Sequence, residues 1–110
     1  MTADPDFAAT AVLLADPSRA AMLARLLDGR SWTASELAKA ARVSNATASS
    51  HLGKLLRAGW LALHPQGRLR YYCLASGDIA ARLEALAAWS PPARAQTPGE
   101  RRASASLRRC

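Results

Sequence analysis

Asn45, Thr47, Ser49 and Ser50 crowd into six residues, with Ala46 among them and His51 following. Side chains of this kind read base edges. Asn can bond adenine in two-point fashion, and Ser or Thr can bond several edges or contact the thymine methyl. Their shortness also lets a backbone come close to a duplex. From Leu37 to Gly77 the chain runs forty-one residues without an Asp or Glu, yet carries Lys39, Arg42, Lys54, Arg57, Arg68, Arg70, His51 and His64. A one-signed stretch inside a folded domain is costly in self-repulsion, and a polyanion facing it is the natural remedy. Nucleic acid phosphate is the commonest such partner, because each neutralised phosphate releases counterions. The pattern points to double-stranded DNA, with short polar groups for the bases and cations for the phosphates. Singly these residues are weak signals, since Ser and Thr also begin helices and Lys and Arg also solvate outer faces.

Other chemistries are poorly provided for. There is no glycine-rich phosphate loop, no carboxylate pair at catalytic spacing and no Ser or Cys with a plausible base, so no enzyme is expected. A metal site needs several soft or imidazole ligands converging, whereas His51, His64, Cys73 and Cys110 are scattered. No metal and no cofactor is therefore expected. Cys73, between Tyr72 and Leu74 on a strand, suits a small buried hydrophobe, while Cys110 in an arginine-flanked tail is the more reactive thiol. Trp32, Trp60 and Trp89 each sit at the edge of an element, where ordinary packing is expected.

The elements that would position the polar cluster follow from apolar spacing. Phe7, Ala11 and Leu14 mark a first helix ending near Asp16-Pro17. Asp16 then caps a second, with Pro17 in its first turn. Met22, Leu23, Leu26 and Leu27 form that helix's buried face, and Gly29 stops it. Thr33 and Glu36 form a capping box for a short third helix, with Leu37, Ala38 and Ala41 inward. Val43-Ser44 makes a tight break, and Ser44 caps a fourth helix from Asn45 to Ala58 that buries Ala48, Leu52, Leu55 and Leu56. Gly59 ends it. Two strands follow, Trp60–His64 and Leu69–Leu74, joined by Pro65-Gln66-Gly67-Arg68 as a hairpin. Ser76 or Asp78 opens a fifth helix through Trp89, striped by Ile79, Leu83 and Leu86. Two helices across a tight break, then a hairpin, form a winged helix-turn-helix: mainly α, about five helices, with a small β-hairpin wing. In that design the fourth helix enters the major groove, Lys39, Arg42, Lys54 and Arg57 flank it, and Arg68 and Arg70 sit on the wing.

Size and charge agree. One hundred and ten residues suit a single small domain, and half of them are apolar, rich in Ala and Leu, which favours helices. The net charge is +7, of which residues 1–90 hold +3 and residues 91–110 hold +4. Residues 1–90 are expected to be the domain. Pro91-Pro92 and the Arg-, Ser- and Ala-rich remainder to residue 110 are expected to be a flexible basic tail, or the start of a further region. No segment approaches a membrane span, and Asp4 and Asp6 argue against a secretion leader. Two distant cysteines make no disulfide framework, so a reducing cytoplasm is expected.

At the phrases Leu14-Ala15-Asp16-Pro17-Ser18-Arg19, Glu36-Leu37-Ala38, Val43 to Leu52, Leu55 to Gly59, Gly67-Arg68 and Tyr71-Tyr72-Cys73-Leu74, the chain resembles the arsenical-resistance-repressor (ArsR) family of bacterial transcription regulators. The resemblance covers about residues 10–89. It implies a homodimer held by the first and last helices, through Phe7, Ala11, Leu14, Ile79, Leu83 and Leu86. It also implies binding to an inverted-repeat operator and repression until a signal, such as a small-molecule inducer, releases the DNA. Many members sense metals through cysteines on the third helix or Asp/His sets on the last. Here Ser35 to Lys39 holds no cysteine, and the last helix offers Asp78 and Glu84 without a histidine. The competing reading is an RNA- or protein-interaction module on the same fold, which has less use for short base-reading side chains.

Overall fold

The computed structural model describes residues 4–92; Cys110 and the tail from residue 93 lie outside them. Five helices and three strands run in the order α1 (Phe7–Ala15), α2 (Pro17–Leu26), β1 (Trp32–Thr33), α3 (Ala34–Ala41), α4 (Asn45–Arg57), β2 (Leu61–Gln66), β3 (Leu69–Leu74), α5 (Gly77–Trp89). Each helix begins on the polar cap its sequence offers. Asp16 accepts from the backbone N–H groups of Ser18 and Arg19 at 2.9 and 3.0 Å, with Pro17 opening α2. The Thr33–Glu36 capping box closes at 3.2 and 2.8 Å. Ser44 accepts from Thr47 N–H at 3.0 Å, and Ser76 rather than Asp78 caps α5 at 3.2 Å. These bonds satisfy donors that the first turn cannot pair internally.

The break between α3 and α4 is a Schellman turn. Arg42 takes the left-handed conformation at φ 59°, while Val43 N–H reaches Ala38 C=O at 3.0 Å and Arg42 N–H reaches Lys39 C=O at 3.1 Å. Glycine usually holds such a position, since a side chain there costs about 1–2 kcal/mol.

Three expectations are corrected. The sheet has three strands, not two, in the order β1-β3-β2 with both pairings antiparallel. Trp32 pairs Tyr72 and Thr33 pairs Tyr71; two residues are too few for an alternation signal. The wing turn is tighter than expected. Pro65 and Gln66 belong to β2, opposite Arg70 and Leu69, which leaves Gly67 at φ 63° and Arg68 as the turn. β2 is an edge strand, where a proline is tolerated. Cys73, 2 % exposed, is disulfide-bonded rather than an unpaired buried thiol.

Met22, Leu23, Leu26, Trp32, Leu37, Ala38, Ala48, Leu52, Leu55 and Leu61 form the core, with Leu13, Leu14, Trp60 and Leu83 half-buried against it. α1 and α5 bury no residue at all. Phe7, Val12, Leu86 and Trp89 remain exposed on them, Trp89 at 90 %, so the packing role expected of Trp89 is not met among the described residues. Among the described residues no single helix is long and apolar enough to cross a membrane.

Candidate nucleic-acid interface

α4 lies across the core on Ala48, Leu52 and Leu55, and that seating decides which side chains face outward. Asn45, Ala46, Thr47, Ser49 and Ser50 are all exposed on its first two turns. Asn45, Ser49 and Ser50 make no side-chain hydrogen bond to another described residue, so their donors and acceptors are available to a partner. Thr47 Oγ1 accepts from the Ser44 hydroxyl at 3.0 Å, which keeps its own proton free to donate outward. Lys54 and Arg57 are exposed further along α4, and Lys39 and Arg42 are exposed at the end of α3 and the turn after it. Arg57 folds back over Gly53, its Nη1 only 3.3 Å from where a methyl at position 53 would stand. Arg68 and Arg70 are exposed on the wing, beside the 53 %-exposed Leu69.

His51 departs from the expected set. It lies three residues after Ala48 and four before Leu55, so the helical period places it beside the buried stripe. Its side chain is 12 % exposed, Nδ1 stands 3.0 Å from Arg19 Nη1, and Nε2 stands 3.5 Å from Asp16 Oδ1. A ring so engaged is turned inward. Asp16 is correspondingly perturbed: the hydrogen bond from Arg19 N–H holds its carboxyl below the usual range, against the opposing effect of desolvation and with the facing His51 ring and the Arg19 guanidinium adding to it.

Arg19 is a buried cation that the sequence pattern did not single out. It is 6 % exposed, in register with Met22, Leu23 and Leu26 on the buried stripe of α2. A cation at an apolar stripe position was the available signal, because a buried charge persists only when its donors are satisfied.

No group of three or more His, Cys, Asp or Glu side chains converges among the described residues. Two recesses, each about 400 Å³, open beside Leu14, Leu83 and Leu86. One runs to Trp60 and Arg82, the other to Leu23 and Pro91.

A helical pair at a Schellman turn, an exposed second helix that carries short polar side chains and a two-stranded wing together define a winged helix-turn-helix protein. Comparisons with known proteins agree. The model of a helix-turn-helix domain matches residues 14–64. The uncharacterized HTH-type transcriptional regulator YdfF of Bacillus subtilis (strain 168) is 43 % identical over 94 residues, 86 % of this chain. The chain spans only 42 % of that relative's length. The cadmium metal-sensor CMTR from Mycobacterium tuberculosis is 30 % identical with a TM-score of 0.61, covering 83 % of this chain and 94 % of its own. The homodimeric winged helix-turn-helix DNA-binding domain (fragment 1–100) of Mb0332 from Mycobacterium bovis, a possible ArsR-family transcriptional regulator, is 28 % identical with a TM-score of 0.62. It covers 81 % of this chain and 88 % of its own. The chain belongs to the ArsR family of winged helix-turn-helix transcriptional regulators.

Proposed function

We propose that this protein is a sequence-specific regulator that binds double-stranded DNA as a homodimer on an inverted repeat and represses transcription there. The observation that carries DNA binding is the outward face of α4. Asn45, Ala46, Thr47, Ser49 and Ser50 stand exposed between Lys39, Arg42, Lys54 and Arg57, in a stretch of chain free of acids. Base contacts from the first group would select sequence, and phosphate contacts from the second, with Arg68 and Arg70, would supply affinity. Two features support the dimer. α1 and α5 bury nothing yet expose Phe7, Val12, Leu86 and Trp89, an apolar surface that marks an association site. The Mb0332 domain is itself homodimeric. The seam would run through Phe7, Ala11, Leu14, Ile79, Leu83 and Leu86. The repressor role rests on family likeness.

Selection of bound sequences from random duplex DNA tests the reading. The expected product is an inverted repeat whose half-sites are about 10–10.5 base pairs apart, or a multiple of that. Bound pools without enrichment, or RNA taken up as readily as duplex DNA, would favour the electrostatic interaction module instead.

A further inference from the structure

The guanidinium of Arg19 joins three elements. Its Nε donates to Leu13 C=O at 2.9 Å and its Nη2 to Val12 C=O at 2.9 Å, both in the last turn of α1. Carbonyls there have no partner within their own helix. The third arm, Nη1, donates to Nδ1 of His51 on α4 at 3.0 Å. Arginine can only donate, so Nδ1 is the accepting nitrogen and the neutral ring carries its proton on Nε2, facing Asp16 Oδ1. Asp16 in turn caps α2. The end of α1, the start of α2 and the second turn of α4 thus meet at one buried charge.

α1 has little else to hold it. None of its residues is buried, and only Leu13 and Leu14 pack against the core. α1 and α2 meet at an 87° bend across Asp16. A planar fork with three occupied arms fixes direction as well as distance, which apolar contacts do not.

We propose that Arg19 is a positioning residue for DNA binding: it sets the angle between α1, at the dimer seam, and α4. It thereby sets the separation of the two recognition helices across the dimer. This rests on the dimeric reading above. On an inverted repeat both helices must reach their grooves together, and the gain from the second contact disappears when geometry forbids it. Arg19 is buried away from solvent, so binding to one half-site does not depend on it.

The test uses the half-site recovered by selection, on duplexes carrying one copy or two copies at spacings varied by single base pairs. Wild type should show one preferred spacing. Arg19→Lys keeps the charge but loses the fork. It should remain a dimer, bind the single half-site within about twofold of wild type, and lose about tenfold or more on the two-site duplex. Its spacing preference should broaden or shift by a base pair. His51→Asn keeps an acceptor near the Nδ1 position and should retain the wild-type preference, whereas His51→Leu should lose it. The His51 pair carries the same test should Arg19→Lys fold poorly. Unchanged spacing preference in both Arg19→Lys and His51→Leu overturns the proposal. So does an equal loss on one-site and two-site DNA, which would mark a general weakening of the fold. If wild type gains nothing from a second half-site, the dimeric reading fails and takes the proposal with it.

Discussion

Leu86→Glu separates the proposed dimer from the fold. Leu83 packs against the core, so charging it would disturb the monomer as well; Leu86 lies further out, 41 % exposed in the single chain. Fully burying a leucine is worth about 1.5–3 kcal/mol, so covering the exposed two-fifths in a dimer recovers about 0.6–1.2 kcal/mol per copy. An isologous seam counts every residue twice, giving about 1–2.5 kcal/mol. Placing an ionised carboxylate in the same spot adds a desolvation penalty of several kcal/mol per ion. The dimer should then lose about 5 kcal/mol or more, which is over three decades in the dissociation constant. Sedimentation equilibrium across micromolar concentrations reads this directly, with circular dichroism to confirm unchanged helix content. Leu86→Ala should weaken the dimer by only about fivefold to sixtyfold. A Leu86→Glu protein that sediments as wild type would show that the seam lies elsewhere, because no dimer closed over that position could absorb two uncompensated charges.

Asn45→Ala and Ser49→Ala should each cost about 1–3 kcal/mol of discrimination between operator and random DNA while leaving nonspecific binding intact, read by competition binding. Arg68→Ala and Arg70→Ala should instead weaken both kinds of binding and lower the salt slope by about one, read by titrating salt. The carboxyl of Asp16 is held below its usual range chiefly by the Arg19 N–H bond, so its stabilising effect is present above about pH 4 and fades as pH falls through the lowered folded value. Asp16→Asn keeps a capping side chain, and thermal melts should show a flatter acid limb below about pH 4; an unchanged limb would refute the assignment. Zinc, nickel, cobalt and arsenite added to the DNA complex should cause no release at low micromolar levels. Release that did occur would expose a ligand set beyond the carboxylates of α5.

Local chemistry decided much of this molecule. Asp16, Thr33 with Glu36, and Ser44 each announce a helix start by side-chain type alone, because an orphan backbone donor needs an acceptor within three residues. The stripes at Met22, Leu23 and Leu26 and at Ala48, Leu52 and Leu55 carry the helical period in plain sequence. The outward residues Asn45, Ala46, Thr47, Ser49 and Ser50 follow as their complement, and so did the winged helix-turn-helix order. What tertiary structure decided depends on segments distant in the chain. β1 exists only because β3, forty residues on, supplies its partner at Trp32–Tyr72 and Thr33–Tyr71. His51 looks like one more polar residue of the α4 face until Arg19 and Asp16, more than thirty positions earlier, are found against its ring. Arg19 itself became legible only with its partners in place. A buried cation is tolerable when three acceptors converge on it, and convergence is a property of space rather than of sequence.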